Sequence, residues 1–418
     1  MPFTRSLLGQ VTLGYRNQLN QLTSFLDAST VYGSTECETT RLRLFAGGRL
    51  NFTNLGFNRA ALPQGTQEAM CRSLPTSKCF VAGDERNNEQ PGLTVMHTLL
   101  MREHNQVASE LARLNNHWTD EKLFQETRRI VTAELQHITY SEWLPVVLGC
   151  EKMSELGLTP LKSGYFTGYD DHCDATISQE MSTAAFRFGH TLIRETLPRM
   201  NASYANDTTA VPLKDSFNSV HAMYERHHGH LESILLGLLG AESMDFDRHI
   251  ASAVRNHLFQ LPTGGPITGL DLPAVNIQRG RDHGIPGYNA YRFLIYVIYS
   301  LSLSSFHDTM DSDAISALAA VYENVDDVDL FPGIMSERPT NGALVGPSLA
   351  CLIGEQMSRL KKCDRFFYEN DATATTRFTP GQLQQIRRAT LARLICANSE
   401  WTRAIQPNAF LMQDDLTS

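Results

Sequence analysis

The chain has 418 residues, 42% of them hydrophobic and 19% charged, enough apolar content to bury a large core. A net charge of −9 supplies no basic patch and argues against nucleic acid or an anionic membrane surface as partner. No apolar run is long enough to span a bilayer: the longest, Phe293 to Leu303, reads as a core helix, and the start MPFTRSLLGQ lacks the pattern of a signal peptide.

Along the chain, the first unusual stretch is LTSFLDASTVYGS, Leu22 to Ser34. Thr23, Phe25, Asp27 and Ser29 fall on alternate positions, too polar for a buried strand and wrongly spaced for a helix. Side-chain oxygens from Thr23, Asp27 and Ser29 with the Phe25 carbonyl suit a hard cation such as calcium; a capped turn is the plain alternative. Asn51, Asn201 and Asn206 open glycosylation triplets, and eight cysteines fit an oxidising compartment. Cys71 and Cys79 flank a short turn-rich loop that can close as a disulfide, whereas CxxC metal spacing is absent.

AGDERNNEQPG, Ala82 to Gly92, is a polar loop entering a helix, with Arg86 and Glu89 three apart. Apolar periodicity then predicts one long helix through Leu93, Leu100, Leu111 and Leu114, and another from Leu123 to Ile138. Thr183 to Arg194 is a third candidate helix and Gln382 to Ala397 a fourth. The third carries FRFGH, in which His190 is either a satisfied core residue or a haem or metal ligand, with Arg187 reaching an anionic group on the same cofactor. GYDDHCDA (Gly168 to Ala175) and ERHHGH (Glu225 to His230) read as polar segments, the latter without the i, i+4 histidine pair that binds zinc on a helix. The loop Leu261 to Pro273 separates helices, and NIQRGRDHGIPGYN (Asn276 to Asn289) holds more polar and turn residues than a connector needs. With strand patterns scarce and no linker or repeat visible, the prediction is one large, mainly α domain over residues 1–418.

LTSFLDASTVYGS, AGDERNNEQPGLTVMHTLLMREHN, LQHITYSEWLP, TAAFRFGHTLI and LPAVNIQRGRDHGIPGYNAYR together resemble the animal haem peroxidase family, most closely its peroxidasin and peroxinectin group. VDDVDLFPG, GALVGPSLACLIGEQ and ARLICANS continue the resemblance in family order nearly to the end of the chain. It implies a mainly α peroxidase fold and a secreted enzyme that uses H2O2 to oxidise halide, thiocyanate or phenols such as tyrosine. It also implies haem b and Ca2+ as cofactors and matrix or cell-surface partners. Thr23, Phe25, Asp27 and Ser29 would be calcium ligands, and His190 the proximal iron ligand, with Asn276 accepting from its imidazole. Arg187 and Arg279 would pair with haem propionates. Arg86 would be the catalytic arginine that stabilises the departing hydroxide, and Glu89 would form a haem ester. Gln90 stands where myeloperoxidase has a methionine, so no sulfonium link is expected.

The sequence departs from the family at its ends. The family's distal histidine, a general base within an Asp-His-Asp triplet, lies upstream of the calcium loop, and nothing here matches it. Asp170 to His172 is out of order for that role. The expectation is a chain truncated at the N-terminus, and also at the C-terminus, where Cys396 lacks its family partner. Of the bridges the family implies, only Cys71–Cys79 can close; Cys37, Cys150 and Cys173 have no family partner, and Cys363 stands where relatives have glycine. A catalytically inactive binding or adhesion protein on the same fold is the alternative function. A cyclooxygenase-like dioxygenase would need a radical-tyrosine motif that the sequence does not show.

Overall fold

The computed structural model describes residues 3–56, 59–65, 71–206, 209–260, 269–296, 298, 300–371 and 373–412. The two longest helices begin where side chains cap them. α1 (Pro91–Leu114) starts from Gln90, whose side chain accepts from the Gly92 N–H at 2.6 Å, and Pro91 sits where a missing N–H costs nothing. The Thr119 hydroxyl accepts from the Lys122 N–H to open α2 (Asp120–Ile138), whose first turn carries Asp120 and Glu121 against the positive helix end. These two helices occupy the two periodic stretches. α2 widens through a π turn, Thr139–Trp143, into α3 (Leu144–Glu155). Pro145 offers no N–H to the Ser141 carbonyl, so the ordinary i→i−4 ladder cannot cross this point.

Further along lie α4 (His230–Gly240), α5 (Leu272–Asp282), α6 (Tyr288–Tyr296), α7 (Pro347–Cys363), α8 (Pro380–Ile386) and α9 (Leu391–Asn398). Strand structure among the described residues amounts to Thr196–Leu197 paired antiparallel with Val211–Pro212, Leu197 opposite Val211. The fold is mainly α, as predicted. Leu349 and Ile353 of α7 are fully buried in the larger apolar cluster, with Tyr140, Tyr288 and Phe306. Val95 and Leu99 of α1 pack with Phe124, Leu394 and Ile234 of α4 in a second. A small third cluster gathers Leu213, Phe217, Val254 and Leu258.

Three predicted helices differ from the structure. Thr183 to Arg194 is not one helix: a turn over Gln179–Thr183 stops, and a 3-10 turn over Ala185–His190 replaces it. Arg187 Nε donates to the Ser182 carbonyl at 2.9 Å, occupying the acceptor that a continuing helix would have used. Gln382 to Ala397 splits into α8 and α9 because Thr390 caps Arg393 and the Leu391 N–H donates to Glu142 of the π turn at 2.8 Å. Phe293 to Leu303 is not a core helix: α6 ends at Tyr296, and Phe293, Leu294, Ile298 and Leu301 are exposed. The predicted loop Leu261 to Pro273 lies outside the described residues as far as position 268.

Cys71 and Cys79 are bonded, and so are Cys173 and Cys363, a bridge the family pattern did not provide. It joins the GYDDHCDA loop to the end of α7.

One buried ion pair ties four parts of the chain. Arg102 of α1 meets Glu232 of α4 at 2.8 Å with both side chains buried, and Arg102 Nε donates to the Ala60 carbonyl at 2.7 Å. Glu232 also accepts from the Ser399 hydroxyl at 2.6 Å and the Glu400 N–H at 2.9 Å, just past α9. Arg102→Met leaves the Glu232 carboxylate buried without its counter-charge. The expected loss is about 3–5 kcal/mol, read as a lower urea midpoint at unchanged m-value.

Candidate functional site

Asp84 organises the first part of the site. Its Oδ1 accepts from the Arg86 N–H at 2.8 Å, capping the 3-10 turn Glu85–Asn88. The same carboxylate grips the Arg86 guanidinium, Nε to Oδ1 at 3.0 Å and Nη2 to Oδ2 at 2.6 Å. Burial pushes the Asp84 carboxyl up, but the bonds from Arg86 outweigh it and hold it below the usual range. Asp84 in turn raises the Arg86 pKa, so the guanidinium is a fixed charge; its side chain is 63% exposed. Glu89, one turn on, has its carboxyl pushed up by burial.

His190 ends the 3-10 turn Ala185–His190, facing α5. Asp271 caps α5 through the Ala274 N–H, and one turn later the helix presents Asn276, which is fully buried. Asn276 Nδ2 lies 2.9 Å from His190 Nδ1, and Arg187 Nη1 donates to Asn276 Oδ1, also at 2.9 Å. Arg187 can only donate, so it claims the amide oxygen and turns the amide nitrogen toward the imidazole. The sequence-based expectation had Asn276 as acceptor, which is the same contact with the amide rotated by half a turn. Burial, then the Arg187 charge, drives the His190 pKa down to about 4, so the ring is neutral at physiological pH.

Arg187 has no carboxylate partner among the described residues. Burial and the nearby charges of Arg279 and Arg86 lower its pKa to about 10. Arg279, by contrast, is occupied: its Nη1 donates to the Thr4 carbonyl at 3.0 Å and the Ser6 hydroxyl at 2.9 Å, and lies 3.3 Å from Asp282.

Arg86, Glu89 and His190, far apart in sequence, line one cleft of about 470 Å³ with apolar walls from Leu213, Phe217 and Val254. A cleft of about 540 Å³ beside His137 and Cys150 contains none of the predicted site residues.

The oxygen-bearing loop is compact. Thr23 Oγ1 donates to Asp27 Oδ1 at 3.0 Å, and the Ser29 N–H donates to the same oxygen at 3.0 Å. No hydrogen bond joins Phe25 to them among the described residues, and no group of three or more His, Cys, Asp or Glu able to hold a metal occurs there. Sequence reasoning missed what holds this loop: Thr132 Oγ1 donates to the Asp27 carbonyl, and Gln136 Nε2 to the Leu26 carbonyl and to Asp364. Nothing in the sequence pairs these residues. Asp84 was visible two positions before Arg86 and was also passed over. Asn51, Asn201 and Asn206 are all exposed; the rest of the third triplet, residues 207 and 208, lies outside the described residues.

A family model described as animal haem peroxidase matches residues 1–410. The chain belongs to the animal haem peroxidase family. It is 36% identical over 412 residues to heme peroxidase 2 of Caenorhabditis elegans, covering 98% of this chain and 57% of that protein. It is 38% identical over 416 residues to a peroxidasin homolog of Mus musculus, covering 94% of this chain and 26% of the relative. Peroxidase A from Dictyostelium discoideum superposes with a TM-score of 0.81 at 30% identity, covering 97% of this chain and 76% of that one. The chain thus spans only part of its curated relatives' length. Animal haem peroxidases are oxidoreductases that bind haem, and no described helix here is long and apolar enough to cross a membrane.

The His190 environment gives a pH prediction. The imidazole should titrate near pH 4 by NMR, and Arg187→Ala should raise that midpoint by removing a neighbouring positive charge. The folded pKa lies below the unfolded one, so this histidine's contribution to stability is complete above pH about 6.5 and is lost on acidification toward pH 4. An unchanged midpoint in the variant would remove Arg187 from the account.

Proposed function

We propose that this chain is the haem-binding part of an extracellular peroxidase that uses H2O2 to oxidise a halide, thiocyanate or a phenol such as tyrosine. One observation carries the reading: Arg86, Glu89 and His190 line a single apolar-walled cleft, with Asn276 against the imidazole's Nδ1.

The residues fit haem b. A neutral imidazole has a lone pair free for iron, and Arg187, positive and without a carboxylate partner among the described residues, suits a propionate. Once Arg187 turned to a propionate, Asn276 could rotate its amide and accept from Nδ1–H, freeing Nε2 for the metal and making the ring a stronger donor. Bound haem would supply an iron centre that takes oxidising equivalents from peroxide and passes them to the donor. Arg86, held by Asp84, would place a fixed positive charge where the departing oxygen of peroxide becomes negative. Glu89 would provide the ester link and Gln90 no sulfonium link, while Arg279 would reach the second propionate only by releasing Thr4 and Ser6.

Thr23, Phe25, Asp27 and Ser29 would hold Ca2+; with a single carboxylate the set is incomplete for a cation that takes six to eight oxygens. The histidine that lines the cleft is His190. No second histidine lines the cleft among the described residues to take the peroxide proton, so the chain should react with peroxide roughly 10²- to 10⁴-fold more slowly than an enzyme that has such a base. The exposed Asn51, Asn201 and Asn206 and two disulfides support an extracellular setting.

The test is a haem titration of the 418-residue chain. Expected are saturable binding, a histidine-ligated spectrum, loss of that spectrum in His190→Gly and its return with added imidazole. Slow reaction with H2O2 should accompany tight binding. No saturable binding, or a spectrum indifferent to His190→Gly, would leave a non-enzymatic binding protein as the better description.

A further inference from the structure

A second cleft, of about 400 Å³, lies between α1, α2, α8 and α9. Glu103 of α1 and Glu134 of α2 line it, with Ile138, Phe378, Ile386 and Leu394 as apolar wall. Glu103 Oε2 accepts from Asn398 Nδ2. Glu134 Oε2 is sealed from solvent and accepts no hydrogen bond. A buried carboxylate oxygen without a donor is rare in folded proteins and costly, because its lost hydration is not replaced. One cation lines the cleft, and its charge acts on both carboxylates without offsetting their burial. Arg393 of α9 is exposed and forms no ion pair with either carboxylate among the described residues, while Glu126 at the rim is matched by Arg129 at 3.4 Å. The polar side chains that α8 contributes are the neutral Gln382 and Gln385.

We propose that this cleft binds an organic amine, its ammonium head between Glu103 and Glu134 and its apolar body against the isoleucine, leucine and phenylalanine wall. An ammonium has three donors and one positive charge, which matches a carboxylate pair one of whose oxygens lacks a donor. A divalent cation is the poorer match, since two carboxylates beside an apolar wall give few of the oxygens it needs, and no larger group of metal-binding side chains is present among the described residues. The volume falls within the usual range for small-molecule sites. Nothing in this inference depends on haem.

The proton balance makes the site recognisable. Burial, then the Glu103 charge, raises Glu134 to about 8, and burial raises Glu103 as well. At pH 7 an incoming ammonium therefore displaces a proton from the pair, and its affinity should increase as pH rises from 6 to 8. Glu126 and Arg393 complete the charged groups that face the cleft.

Isothermal titration of the 418-residue chain with 2-phenylethylammonium, 2-phenylethanol and phenylacetate decides the matter. Expected is saturable binding of the amine alone, with close to one proton released at pH 7 when two buffers of different ionisation heat are compared. Glu134→Gln, which keeps the shape, should weaken the amine at least tenfold while leaving the melting transition cooperative. A raised carboxyl pKa lowers stability as pH climbs from about 4.5 to 8, so the same variant should gain melting temperature at pH 8 relative to pH 5. Equal binding of amine and alcohol, no binding of the amine, full affinity in Glu134→Gln, or competition by Ca2+ would each overturn the proposal.

Discussion

A single side-chain amide without solvent contact sets the geometry on which the catalytic reading rests. Asn276 has one acceptor and one donor face, and two neighbours, Arg187 and His190, compete for them. Because a guanidinium cannot accept, Arg187 fixes which way the amide points and thereby which imidazole nitrogen carries the proton. α5 brings Asn276 there only because Asp271 starts the helix in the right register. The irregular turn over Ala185–His190 exists because Arg187 also bonds back to Ser182. Local backbone, buried charge and tautomer are thus one problem with one solution.

Charge burial is handled differently in each part of the molecule. The Arg102–Glu232 pair is matched in charge and extends to a backbone donor beyond α9, which makes it a structural clasp. Arg187 donates to oxygens but forms no ion pair among the described residues, and the charges of Arg279 and Arg86 act on it. Glu103 and Glu134 form the mirror case, two buried acids that share only the exposed Arg393 and form no ion pair with it among the described residues. Matched charges close a structure, whereas unmatched ones leave it open to a ligand. That contrast, more than cleft size, separates the sites from the scaffold.

How much was legible beforehand depended on the range of the deciding contact. α1 and α2 were readable because a helix repeats its apolar face every turn, and the caps Gln90 and Thr119 sit beside that pattern. α8 and α9 were read as one because the break is made by Glu142, which lies far away in sequence. The apolar run after Tyr291 signalled burial, yet apolar content alone does not say which surface a chain lies on. Arg86, Glu89 and His190 were picked out as motif residues, but their meeting in one cleft is a tertiary fact. Phe25 was chosen for its carbonyl, and spacing cannot show where a carbonyl points.

The bridge between Cys173 and Cys363 has a topological result. It closes a covalent ring that contains Arg187, His190, Asn276 and Arg279, while Arg86 and Glu89 lie on the chain outside it. A single cut anywhere in the ring opens it without releasing a fragment. The histidine, its amide partner and their two arginines therefore remain parts of one covalent molecule after nicking, until the disulfide is reduced. The half of the cleft that carries Arg86 stays within the same molecule only through the peptide chain leading to Cys173. The two walls of the cleft thus differ in what proteolysis can separate.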